Sequence, residues 1–144
     1  MEETQVLTAE KYFDIRFSEV DAMQIVWHGS YALYFEDARE EFGRKYHLEY
    51  MRMYEFGFYA PLVELKVNYR KPLKYQDKAK IVIKYRNSDV AKLEFDYEIY
   101  NAETNDLCAT GHTIQVFLDT NMNLMWTMPP FINEWKKLNG LRVG

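Results

Sequence analysis

The chain has one cysteine among its 144 residues. Cys108 therefore forms no disulfide within the chain, and with no histidine or cation beside it in sequence it reads as a buried, inert thiol rather than a nucleophile. Only six glycines are present, and no Gly-rich phosphate loop or dinucleotide fingerprint is built from them. The three histidines, His28, His47 and His112, fall in a loop, at a helix end and in a strand. They have no ligand-like spacing among themselves or toward Cys108, so no metal and no resident cofactor is expected. No run approaches the ~20 consecutive apolar residues that cross a bilayer. The acidic start Met1-Glu2-Glu3-Thr4-Gln5 lacks the apolar centre of a signal peptide, and with the lone cysteine it predicts a cytoplasmic protein.

Apolar and aromatic side chains are abundant instead, at 48% and 17% of the residues. A chain of this length buries roughly 68–70% of its unfolded surface, which predicts a single domain over residues 1–144 with flexible ends at 1–9 and 140–144. The net charge of −4 speaks against a general nucleic-acid binder. Charge is nevertheless uneven, because nine cations and two acids between Lys66 and Lys92 give that segment a local balance of +7. Two readings of it stand: solvated outward faces of strands, where lysine also blocks edge-to-edge aggregation, or a docking surface for a small polyanion.

Periodicity orders the elements. Residues 11–17 place Phe13, Ile15 and Phe17 on one side and Tyr12, Asp14 and Arg16 on the other, the two-residue period of a half-buried strand. From about Ser30 the period becomes 3.6, with Tyr31, Tyr34, Phe35, Ala38, Phe42 and Tyr46 on one face and Glu36, Asp37, Arg39, Glu40, Glu41, Arg44 and Lys45 on the rest. Four alternating runs follow, carried by Val63 to Tyr69, Ala79 to Tyr85, Leu93 to Ile99 and Ile114 to Leu118. The middle two read as a hairpin about Asn87-Ser88-Asp89. Pro129-Pro130 opens a short terminal helix with Phe131, Trp135 and Leu138 on one side. The order predicts an α+β fold, a five-stranded antiparallel sheet wrapped around one long helix, whose open face or edge calls for a second subunit.

Between the first strand and the long helix lies Asp21-Ala22-Met23-Gln24-Ile25-Val26-Trp27-His28-Gly29-Ser30-Tyr31. A helix start offers unpaired backbone N–H groups and the positive end of the macrodipole, which hold a developing oxyanion while a nearby carboxylate serves as base or nucleophile. Asp21 is also what an ordinary turn-forming aspartate looks like, and His28 is either a structural histidine or one that orients substrate. Glu36 and Glu40 flank Arg39 at ion-pairing distance along the helix. The aromatic stretch from Tyr50 to Tyr59 reads as core or subunit interface, or else as the wall of an acyl or aryl pocket.

The run Phe17 to Tyr31, continuing through Tyr34-Phe35-Glu36-Asp37-Ala38-Arg39-Glu40, resembles the N-terminal signature of hotdog-fold acyl-CoA thioesterases of the 4-hydroxybenzoyl-CoA thioesterase type. Val67-Asn68-Tyr69-Arg70-Lys71-Pro72-Leu73, followed by Asp77, is similar to the same family's second strand and turn. The resemblance covers about residues 10–135. It implies that Asp21 attacks the thioester carbonyl or activates water, and that N–H groups near His28 hold the carbonyl oxygen. It further implies that Trp27, Gly29 and Tyr31 contact substrate, and that Arg70, Lys71, Lys74 or Arg86 meet the phosphates of coenzyme A, which enters only as part of the substrate. A homodimer or homotetramer is implied, with no nucleic-acid or membrane partner. Glu36 or Asp37 is the runner-up carboxylate, because a second hotdog branch carries its acid on the central helix. Thioesters of acyl carrier protein are the alternative substrate, and a non-catalytic acyl-thioester binder or assembly protein is the alternative function. The family usually has glycine where this chain has Gln24, so this side chain is expected to alter the loop or narrow the pocket.

Overall fold

The apolar stripe that begins at Tyr31 becomes a 17-residue helix whose buried side chains include Tyr31, Tyr34, Phe35, Ala38 and Phe42. The structure, a computed structural model, describes residues 6–143. In chain order it contains β1 (Thr8–Asp14), a 3-10 turn (Phe17–Glu19), α1 (Ser30–Tyr46), α2 (Tyr50–Glu55), β2 (Phe58–Tyr59), β3 (Leu62–Tyr69), β4 (Lys78–Arg86), β5 (Lys92–Asn101), β6 (Leu107–Val116), β7 (Leu118–Asp119) and α3 (Pro130–Leu138). No helix among the described residues is long and apolar enough to cross a membrane.

The five long strands form one antiparallel sheet in the order β1-β4-β5-β6-β3, the α+β hotdog arrangement, and β2 pairs separately with β7. β4 and β5 make the expected hairpin, with Lys84 opposite Asp96 and Arg86 opposite Glu94. β3 does not neighbour β4, although it precedes it in sequence. It lies at the far edge against β6, with Val67 opposite Gly111 and Tyr69 opposite Ala109.

The helix lies on the sheet through aromatic contacts. Phe35 stacks on Tyr97 with ring centroids 4.3 Å apart, and a Cβ at Gly111 would collide with the Phe35 ring. Phe42 meets Phe95 edge-on at 5.0 Å. Fully buried side chains of this size contribute about 1.5–3 kcal/mol each, so these few contacts hold α1 against β5 and β6. Its C-terminal end is closed by α3: Trp135 Nε1 donates to the Tyr46 carbonyl at 2.7 Å, one of the acceptors a helix end leaves without a helical partner.

Several expectations change. The first strand covers 8–14, and Phe17 belongs to the 3-10 turn with 71% of its surface exposed. The Ile15 N–H still reaches the Asp77 carbonyl at 3.0 Å, one step past the paired Asp14 and Lys78, before the chain enters the turn. Within the ends expected to be flexible, Leu7 and Leu141 are buried, while 1–5 and 144 lie outside the described residues. Arg39, assigned to the polar side of α1, is buried, because it donates to the hydroxyls of Tyr50 (3.0 Å) and Tyr97 (3.1 Å) and to Glu36 Oε2 (2.8 Å). Of the aromatic stretch, Met53 and Phe58 enter the core while Tyr50, Met51, Tyr54 and Phe56 stay exposed.

Candidate active site

The loop after the 3-10 turn is a tight reversal fastened on both sides. Asp21 N–H donates to the Ile25 carbonyl and Gln24 N–H to the Asp21 carbonyl, both at 2.9 Å. Asp21 Oδ1 accepts the N–H of Met23 at 2.8 Å and, more weakly, that of Ile25 at 3.4 Å. Its Oδ2 has no hydrogen-bond partner among the described residues, so one oxygen shapes the turn and the other is available. The Glu19 carbonyl accepts both Trp27 N–H at 2.9 Å and the Ser30 hydroxyl at 3.0 Å, and the Tyr34 hydroxyl donates to Glu19 Oε1 at 3.2 Å. Across the loop, Val26 N–H reaches the Leu73 carbonyl (2.8 Å) and Tyr75 N–H the Gln24 carbonyl (3.0 Å).

Gln24 has φ +64°, the left-handed region, which costs a residue with a Cβ about 1–2 kcal/mol. A glycine is at home there, which gives the family preference for glycine a backbone reason. Gln24 does not line the adjacent cleft; its effect is on the turn. Gln24→Gly should raise stability by up to about 1 kcal/mol and Gln24→Val lower it by at least that much. Urea midpoints of the two variants check the opposite signs.

At the start of α1 the N-cap residue Gly29 supplies no side-chain cap. A Cβ there would collide with the Trp27 ring, so the ring closes over bare backbone. The N–H groups of His28 and Gly29 donate to no acceptor among the described residues. Beside them a cleft of about 300 Å³ is lined by Ile25, Val26, His28, Tyr31, Tyr69, Arg70, Lys71 and Pro72. Uncapped amides at a helix start favour an anion in such a cleft.

Four of the site residues expected from sequence, His28, Tyr31, Arg70 and Lys71, thus line one cleft. Asp21 is not in its wall but in the turn whose Ile25 is. Trp27 stays half exposed against Gly29, and Lys74 borders the loop by its bridge to Ile25. Arg86 is elsewhere. Along the sheet Tyr69 lines up with Ala109, Ile99 and Ile81, and Arg86 lies three strands across from Tyr69 and, five residues beyond Ile81, roughly 17 Å further along the strand direction. It binds Asp96 at 2.6 Å and Glu94 at 3.4 Å. Much of the basic segment is neutralised in the same way, Lys84 by Glu98, Lys92 by Glu94 and Lys71 by Asp106. Arg70 and Lys74 form no ion pair among the described residues. Sequence reasoning missed Tyr69 and Glu19. Their roles depend on loop and strand neighbours remote in sequence, although Tyr69 stands directly before Arg70.

Burial pushes the Tyr31 hydroxyl up to about 12, with the Cys108 thiol and Tyr69 adding to the effect. Tyr34 and Tyr97 are pushed the same way, again chiefly by burial. Tyr31, which lines the cleft, therefore carries a neutral hydroxyl at physiological pH. Because the fold holds the neutral phenol more tightly than the unfolded chain does, this stability is complete below pH 10 and lost as pH rises toward about 12. Thermal melts should fall steeply over that interval, and Tyr31→Phe should flatten the fall. Burial likewise pushes the Cys108 thiol up, in keeping with an inert cysteine.

The thioesterase-like superfamily profile matches residues 15–136. The chain belongs to this superfamily. YneP of Bacillus subtilis, provisionally named an acyl-CoA thioesterase, is 29% identical over 93 residues, 65% of this chain and 67% of its own. A DHNA-CoA thioesterase from Staphylococcus aureus superposes with a TM-score of 0.79 at 27% identity, covering 92% of this chain and 91% of that one. A 1,4-dihydroxy-2-naphthoyl-CoA thioesterase from Synechocystis gives a TM-score of 0.79 at 19% identity over 92% and 98% of the two chains, a likeness of fold. Thioester hydrolysis is the activity against which the loop, the helix start and the cleft are to be read.

Proposed function

We propose that this protein hydrolyses acyl-CoA thioesters to a free acid and coenzyme A, at the cleft beside the start of α1. The observation that carries the reading is the conjunction, among the described residues, of an uncapped helix start whose His28 and Gly29 N–H groups have no acceptor with a carboxylate in the preceding turn that keeps one oxygen free. In this reading Asp21 attacks the thioester carbonyl or draws a proton from an attacking water. The amides, with the Tyr31 hydroxyl nearby, take the charge that moves onto the carbonyl oxygen; one such donor is worth about 10²–10³ in rate. Thiolate leaves readily, so the scheme asks for no metal. Arg70 and Lys74 are suited to the phosphates of coenzyme A, whereas Lys71 is engaged by Asp106 at 3.3 Å. Of the runner-up acids Glu36 and Asp37, Glu36 is held by Arg39 at 2.8 Å, which favours Asp21 over it.

A second copy of the chain belongs to this reading. Among the described residues the outer edge of β3 has no strand partner, and Val63 and Leu65 on it remain 59% and 41% exposed. An open edge of this length is ordinarily covered, and a second copy covers it symmetrically. The test is thiol release from a panel of aliphatic, aryl and hydroxyaryl acyl-CoA substrates, with acyl carrier protein thioesters alongside. Activity on acyl-CoA is expected. Release from carrier-protein thioesters alone would move the substrate class, and binding without any release would leave a non-catalytic acyl-thioester binder.

A further inference from the structure

The peptide joining His28 to Gly29 is gripped from two sides. The Trp27 ring occupies the space where a Gly29 Cβ would be. The Tyr69 hydroxyl, from edge strand β3, donates to the His28 carbonyl at 3.2 Å, and the Tyr69 ring meets Tyr31 edge-on with centroids 5.1 Å apart. A peptide unit is planar, with its C=O and N–H pointing in opposite directions. Fixing the His28 oxygen therefore fixes where the Gly29 N–H points, and that N–H has no acceptor among the described residues.

The geometry points to Tyr69 as a positioning residue that aims the Gly29 amide at the reacting carbonyl through its bond to the His28 carbonyl. The inference rests on the proposed thioesterase reading. Tyr69 lies 41 residues from His28 in sequence and is more than half exposed. Its hydroxyl is thus a poor candidate for a stabilising core contact, since an exposed hydrogen bond adds little to folding. An electrostatic donor acts only if held in place before the reaction, and a small misplacement costs rate far more than affinity.

Tyr69→Phe keeps the ring contact with Tyr31 and removes only the hydroxyl. It should lower kcat on the best acyl-CoA about 10-fold or more, leave KM near that of the wild type, and leave the melting temperature unchanged. Independently of activity, the Gly29 amide cross-peak in a ¹⁵N–¹H spectrum should shift and broaden in the variant. Wild-type kcat together with an unmoved Gly29 resonance would overturn the inference, as would a loss confined to KM, which would make Tyr69 a binding residue. With Asp21→Asn measured in parallel, an inactive Asp21 variant beside a fully active Tyr69 variant removes the positioning role alone. An inert wild type removes the thioesterase reading, and the Gly29 resonance then still decides whether Tyr69 orders the peptide.

Discussion

Asp21→Asn is expected to remove thiol release while leaving the fold intact. The choice of asparagine follows from the hydrogen bonds: Oδ1 accepts the N–H groups of Met23 and Ile25, and an asparagine oxygen still accepts them, less strongly than the carboxylate, in a residue that forms such turns as readily. What disappears is the charge and the basicity of the free second oxygen. If Asp21 acts as general base, at least about 10²-fold should be lost from kcat/KM, and more if it is the nucleophile. Alanine is the wrong control, since it would remove the turn together with the chemistry. Equal rates for wild type and Asp21→Asn on the best substrate of the panel would sink the assignment, and Glu36, freed from Arg39 by a second substitution, would be the next carboxylate to examine.

The largest effect on stability is expected at Gly111, far from that loop. β6 passes directly beneath the Phe35 ring, which lies nearly parallel to Tyr97 at an interplanar angle of 18°, and any Cβ at Gly111 collides with the ring. Phe35 is wholly buried, so it has no solvent to move into. Overpacking of this kind costs about 3 kcal/mol, which for a domain of this size is roughly a 10 °C fall in melting temperature. Gly111→Ala should show that fall, and adding Phe35→Leu should recover part of it, because a smaller side chain makes the room the new methyl needs. A double-mutant cycle in urea reads this coupling directly. Strict additivity of the two changes would mean that the ring and the strand do not meet as described.

The two-residue and 3.6-residue periods already contain α1 and the four later strands, but they name the core face only in part: Val63, Leu65 and Tyr69 stay exposed, and in β6 Thr113 and Gln115 are buried rather than Ile114 and Val116. Pairing is nonlocal. No local pattern could say that β3 would leave its sequence neighbour β4 and close the far edge against β6, because either order buries the same faces. The charge of the basic segment misleads for a related reason. Arg86 and Lys84 find Asp96 and Glu98 on the adjacent strand, and cross-strand partners are invisible to a count along the chain. Arg39 sits among charged residues in sequence yet is buried, because hydroxyls from Tyr50 and Tyr97 arrive from two other elements.

By itself the sequence determined that a carboxylate turn precedes a helix start, because turn residues and helical period are local properties of the backbone. It also determined the family, through the motif that runs from Phe17 to Glu40. Only the tertiary structure decided which of the candidate residues meet. Folding brings Tyr69, Arg70 and Lys71 to His28 and Tyr31 and carries Arg86 to the other end of the sheet. The physical reason is that strand register and sheet order, set by packing over the whole core, fix which distant side chains come together.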